Sequence, residues 1–126
     1  MNCTQNVNCN YILLSQGGPL MFMEQLIHSK GSSLFHDFEL QNIIVDYHNK
    51  QITAQLKSPS PSSTTYKLIL SDAKHFQMSF LEPWGGGIYV AGITFEPKGT
   101  GQYMEMQLNS GDSITAEFEH IELQPY

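Results

Sequence analysis

His36 and Asp37, with Glu39 two residues on, form the densest group of ionisable side chains near a predicted strand start. An imidazole beside a carboxylate can position a proton or help hold a metal ion. Neighbours on an extended strand point to opposite faces, so the two cooperate only where the chain turns. No second histidine lies at the H-x-H or H-x-x-x-H spacing that would complete a ligand set. The competing reading is local: His36 hydrogen-bonds nearby and Asp37 caps or turns the chain. His28, His48, His75 and His120 are isolated in sequence and supply no metal motif. Neither a metal nor a cofactor is expected.

The second candidate is the segment Glu82-Pro83-Trp84-Gly85-Gly86-Gly87, which holds the only tryptophan. Indole anchors protein interfaces well, because it buries a large area while keeping one hydrogen-bond donor. The glycines match neither a GxGxxG dinucleotide fingerprint nor a P-loop. Either this segment shapes a contact surface, or Trp84 closes one end of the core while the glycines supply positive φ angles. The predicted binding residues are therefore Trp84, Gly85, Gly86, Gly87, Glu82, His36 and Asp37. No catalytic residue is assigned. No serine sits in a G-x-S-x-G elbow, and no Cys/His pair shares a local context. A hydrolase would have to assemble His36 and Asp37 with the distant Glu82.

Composition narrows the field further. The chain has 126 residues, of which 14% are charged, and its six lysines face twelve acidic residues with no arginine. A net charge of −6 repels a phosphate backbone, and the best bidentate phosphate ligand is missing. The lysines, at 30, 50, 57, 67, 74 and 98, form no polybasic stretch, so anionic membranes are disfavoured too. Cys3 and Cys9 are the only cysteines and lack C-x-x-C spacing, which excludes a disulfide-strapped core and fits a reducing cytoplasm. The apolar run Tyr11-Ile12-Leu13-Leu14 is too short for a signal-peptide core, and no stretch reaches the length of a membrane helix. A cytoplasmic location is expected.

Positioning these candidates falls to a chain that alternates with a period of two. Residues 1–20 are rich in Asn and Gln, end in Gly17-Gly18-Pro19, and read as a flexible or artefactual tail. A first strand at Tyr11–Leu14 is the alternative. Residues 21–126 then form a single β-rich domain. Leu20, Met21, Met23, Leu26 and Ile27 have the spacing of one short helix over 21–28.

Residues 41–48 and 50–57 make the clearest hairpin, turning at His48-Asn49-Lys50, with a bulge or strand start near Gln41. SPSPSST (58–64) is a loop. Tyr66, Leu68 and Leu70 alternate, as do Phe76, Met78 and Phe80, then Tyr89, Ala91, Ile93 and Phe95, with Val90 on the opposite face. Met104, Met106 and Leu108 continue the pattern, Asn109–Asp112 turns the chain, and Ile114, Ala116 and Phe118 follow. Glu117 and Glu119 occupy an outward face. The phase slips by one at Glu119-His120, indicating a bulge or a strand that changes sheet. Crossover helices between strands are lacking, which argues against parallel α/β. The expected fold is all-β and mainly antiparallel: a two-layer sandwich or strongly curled sheet of about seven strands, with one short N-terminal helix.

The stretch LFHDFELQNIIVDYHNKQITAQL (34–56) resembles the opening of small bacterial β-rich proteins. In these a His-Asp pair precedes a strand ending in an acidic residue, and a turn leads into an alternating strand. Some of these families resemble immunity proteins of polymorphic toxin systems. The resemblance extends over about residues 34–123, through His36, Asp37, Asp46 and the Trp84 loop. It implies a protein-binding accessory role and brings no reaction with it.

A non-catalytic protein-binding domain is therefore expected, with self-association as a homodimer or a foreign protein as partner. The expected contact lies at 88–95, at 103–108 or at the Trp84 loop. The alternative is a small-ligand-binding β-domain with a cavity lined by aromatic residues such as Tyr89 and Phe95. Limited proteolysis separates the two readings of the N-terminus. A tail is clipped before Met21 with the folded remainder intact, whereas a strand at Tyr11–Leu14 protects that segment.

Overall fold

The computed structural model describes residues 31–61 and 63–125 in full, and the strand backbone at 11–13 and 20–22. Among the described residues ten strands form two sheets: β1 (Tyr11–Leu13), β2 (Leu20–Phe22), β3 (Glu39–Asp46), β4 (Gln51–Lys57), β5 (Thr65–Ser71), β6 (His75–Met78), β7 (Val90–Lys98), β8 (Gly101–Leu108), β9 (Ser113–Phe118) and β10 (His120–Pro125). One sheet has six strands in the order β2-β1-β10-β5-β4-β3, and the other has four in the order β6-β9-β8-β7. All described pairings are antiparallel except β1 with β10. The fold is an open β-sandwich.

Alternation explains why these segments pair. Ile52, Ala54 and Leu56 of β4 are buried while Thr53 and Gln55 face outward, and β5, β8, β9 and β10 repeat the pattern. The inner faces meet in one core, where Leu56, Leu68 and Ile121 of the larger sheet join Met106, Ala116 and Phe118 of the smaller. Leu34 and Phe35, next to a 3-10 turn at Gly31–Ser33, complete that core. Phe35 is buried although its φ is +63°, and its ring meets Phe38 edge-on at 5.3 Å.

The Asn109–Asp112 turn and the bulge near Gln41 are both present, the latter as a register shift between Leu40 and Asn42. The slip at Glu119 proves to be a change of sheet, since β9 lies in the four-stranded sheet and β10 in the six-stranded one. The chain makes the opposite crossing between β5 and β6, and the two corners are tied together. The Glu119 N–H donates to the Ser71 carbonyl (3.1 Å), and the Lys74 N–H to the Glu117 carbonyl (2.8 Å). Lys74 Nζ and Thr100 Oγ1 both donate to Glu119 Oε2, at 2.5 and 2.7 Å, and hold that carboxyl below its ordinary value.

Several expectations need correction. Met21 and Phe22, assigned to a helix over 21–28, lie in β2 opposite Ile12 and Tyr11; the rest of that span is outside the described residues. Strand pairing overrides the local helical spacing there. Tyr11–Leu13 forms a strand, the alternative left open for that stretch. Val90 faces the core while Tyr89 and Ala91 are exposed, because a bulge between Val90 and Gly92 resets the phase of β7. Phe80 does not continue the β6 alternation, since the strand ends at Met78 and Phe80 is 78% exposed. Finally, β8 (the 103–108 segment) has neighbours on both sides and offers no free edge for association.

Phe118→Ala should lower stability by about 3–5 kcal/mol, the cost of emptying a fully buried aromatic site. Phe80→Ala should stay within about 0.5 kcal/mol of the parent in the same urea-unfolding comparison.

Candidate functional site

Between β6 and β7 the chain leaves the sheets for residues 79–89, and there it exposes Phe80 (78%), Leu81 (81%), Trp84 (72%), Ile88 (49%) and Tyr89 (44%). Large apolar side chains presented together on one segment are unusual for a monomer surface. Something must hold that segment out of the core.

That anchor is Asp112, in the turn between β8 and β9, only 4% exposed. Its Oδ1 accepts from the Ser79 hydroxyl (2.7 Å) and the Leu81 N–H (2.7 Å). Its Oδ2 accepts from the Glu82 N–H (2.9 Å) and the Ser110 hydroxyl (3.0 Å). A buried carboxylate satisfied by neutral donors stays ionised, and here the Ser79 bond, followed by the two loop amides, holds it below its ordinary value against the opposing effect of burial. Ser110, also buried, accepts the Trp84 N–H on its backbone oxygen (2.9 Å). Gly111, at φ +93°, leaves room for the loop: a Cβ there would lie 2.7 Å from Pro83 Cγ and 2.9 Å from Trp84 Cδ2. The β8–β9 turn is thus a platform for the loop, and Trp84 stands on it without entering the core.

The far end of the segment is fastened twice. The Asn109 N–H donates to the Tyr89 carbonyl (2.8 Å), and Asn109 Oδ1 accepts the Tyr89 N–H (3.2 Å). Residues 88–90 also lie along the start of β3, where the Leu40 N–H donates to the Ile88 carbonyl (2.7 Å) and the Val90 N–H to the Phe38 carbonyl (2.8 Å). Between β3 and the loop is a cavity of about 340 Å³, lined by Leu40, Ile43, Phe80, Glu82, Ile88 and Asp112 among others.

The sequence-predicted residues divide into two groups. Glu82, Trp84, Gly85, Gly86 and Gly87 share the loop. Gly85 adopts φ +99°, whereas Gly87 is required by close approach, because a Cβ there would collide with Asn109 Oδ1. Gly86 has room beside it, since a Cβ would stand 3.9 Å from the Glu82 carboxylate. His36 and Asp37 sit on the turn before β3, where Asp37 has φ +68°. That turn brings His36 Nδ1 within 3.3 Å of Asp37 Oδ2, with both side chains largely exposed. Asp37 lines a second cavity, of about 370 Å³, with Glu39, Lys57, Ser58 and Tyr89. Glu82 belongs to the first cavity, so the hydrolase set of His36, Asp37 and Glu82 does not share one pocket. Among the described residues no group of three His, Cys, Asp or Glu side chains is arranged to hold a metal. Phe95 packs against the core.

Sequence reasoning missed Asp112, Ser79, Phe80 and Leu81. A signal was present at Phe80-Leu81, where two consecutive large apolar residues break the β6 alternation just before a proline. Asp112 carried none, being one polar residue in an ordinary turn. No protein-family model matches this chain, and no curated protein matches it.

Trp84 is the sole tryptophan, so its fluorescence reports on this loop alone. Asp112→Asn should raise acrylamide quenching of Trp84 and lower the melting temperature near neutral pH. The Asp112 carboxyl lies below its ordinary value in the folded chain, so its stabilisation is complete above that ordinary value. It is lost as pH falls through the lowered folded value. The gap between parent and variant should therefore close under acid, and a gap independent of pH would contradict the assignment.

Proposed function

We propose that this chain is a non-catalytic protein-binding domain that uses the 79–89 loop as its contact surface. The observation that carries the reading is the exposure of Phe80, Leu81 and Trp84 on a backbone fixed by the buried Asp112. Apolar anchors that are already ordered lose little conformational freedom on binding, which favours a protein contact. The weakly charged surface and the absence of arginine argue against nucleic acid. An accessory role of the immunity-protein type rests on the resemblance over residues 34–56. A cytoplasmic location is supported by the low cysteine count. Among the described residues no helix is long and apolar enough to cross a membrane.

A small-ligand-binding domain is the second reading, supported by the cavity of about 370 Å³ where Asp37 and Glu39 converge with Tyr89. Thermal-shift screening addresses it directly, with Tyr89→Ala as the control.

The test of the main reading is affinity capture with the tagged chain, run in parallel with Trp84→Ala. A specific partner should be retained by the parent and weakened about thirtyfold by the variant, as for a central interface anchor. Equal recovery by both proteins would remove the loop as the contact surface.

A further inference from the structure

The outer edge of β3 is divided in two. Over residues 38–40 it is covered by 88–90. Beyond the bulge at Gln41, among the described residues, no strand pairs with the outer side of Asn42–Asp46. Backbone direction along this stretch follows from its neighbours. The Lys50 carbonyl accepts from Ala73 and the Ser58 N–H donates to Thr64, so even-numbered positions of β4 bond toward β5. Odd-numbered positions then bond toward β3, engaging Asn42, Ile44 and Asp46 through their partners Gln55, Thr53 and Gln51. Ile43 and Val45 are left directing their N–H and C=O groups to the open side.

This edge lacks the usual protection against strand addition. The other described edges are short or blunted: β7 ends in Glu96-Pro97-Lys98, β6 is only four residues long and follows Lys74, and β2 is three residues long. In β3 the free stretch reads Asn-Ile-Ile-Val-Asp, with Ile44 60% and Val45 52% exposed and no lysine or proline. Its chemistry is the same in both directions: a polar residue, a β-branched residue, isoleucine, a β-branched residue, a polar residue.

We propose that Asn42–Asp46 pairs antiparallel with the same segment of a second copy, about a two-fold axis at Ile44. This deepens the protein-binding reading by naming one partner, on a strand edge that adjoins the 79–89 loop, since Asn42 and Ile43 line the cavity between them. Ile43 and Val45 of each copy exchange both backbone hydrogen bonds with Val45 and Ile43 of the other, and the two Ile44 residues meet as a non-hydrogen-bonded pair. Asn42 faces Asp46 of the second copy, which sets an amide against a carboxylate. The register is determined by the strand itself. Centring on Ile43 would draw in the bulged Gln41, and centring on Val45 would draw in the turn residue Tyr47. The second copy's β3 ends at Asp46 and turns away toward its own β4, just short of where Ile88 occupies the edge. A two-fold contact of this kind closes on itself and joins the two larger sheets into one.

Site-specific cross-linking tests the geometry. In the full chain carrying Cys3→Ser and Cys9→Ser, Ile44→Cys should form a disulfide-linked dimer under oxidised glutathione, since a non-hydrogen-bonded pair brings the Cα atoms to about 4.5 Å. Asn42→Cys should not, because its counterpart lies far along the strand. Sedimentation of the unmodified chain should show a concentration-dependent dimer, and Ile44→Lys should weaken it about tenfold or more while leaving the melting temperature of the dilute protein unchanged. A monomer at all concentrations, or equal cross-linking at positions 42 and 44, would overturn the proposal. So would a dimer that Ile44→Lys leaves intact and Trp84→Ala dissociates, which would move the contact to the loop. Cross-linking at position 44 reads the strand edge and the capture comparison with Trp84→Ala reads the loop, so the two readings fail separately.

Discussion

The carboxylate of Asp112 joins two parts of the chain that are remote in sequence, and the shape of one end of the molecule depends on it. It lies in a hairpin turn of the four-stranded sheet, yet its bonds go mainly to the backbone and hydroxyl groups of residues 79–82. An apolar side chain at this position could not hold those amides, and an unsatisfied carboxylate could not remain buried. Because the bonds are made, the chain after Met78 is drawn onto the turn and Phe80 and Leu81 are directed outward. Ser110 and Asn109 extend the same contact toward Trp84 and Tyr89. Residues 88–90 then reach β3 and join the edges of the two sheets.

Much of the sheet was legible in the sequence, and the reason is periodicity. Ile52, Ala54 and Leu56 alternate because β4 has one face in the core, and the same holds for Met104, Met106 and Leu108. The turn at Asn109–Asp112 and the bulge after Leu40 were legible because polar runs and phase slips are local. Periodicity reports which face is buried and is silent about which strand lies alongside. Thus β8 reads as an available edge although it is interior, and the slip at Glu119 leaves a bulge and a change of sheet equally open. Val90 reads as outward-facing because a bulge at the strand's start cannot be told from an exposed valine. In the candidate site, Trp84 and its glycines stand out by type. The group that positions them does not, because a buried aspartate is recognised only through partners about thirty residues away.

The two corners where the chain changes sheet show how charge is used. Glu117 and Glu119 read as simple surface charge, yet they pair with Lys98 and Lys74 respectively. Exposed pairs of this kind contribute little to stability. Their effect is on direction. Lys74 sits at the β5–β6 crossing and Glu119 at the β9–β10 crossing, so the pair holds together the two places where the sheets are joined covalently.

The order of strands in the larger sheet also bears on how the chain comes to fold as it is synthesised. Strands β3, β4 and β5 are consecutive neighbours and can assemble as a meander as soon as they have emerged. Next to β5, however, lies β10, which follows it by some fifty residues in the chain and, among the described residues, is the strand that connects β1 to the rest, with Tyr11 opposite Glu122. A growing chain therefore carries an incomplete sheet whose inner edge, at β5, stays open until β10 has emerged. Contacts of such long range slow folding and leave apolar strands exposed meanwhile. For this topology the period of greatest exposure to wrong partners lasts until β10 has joined β5.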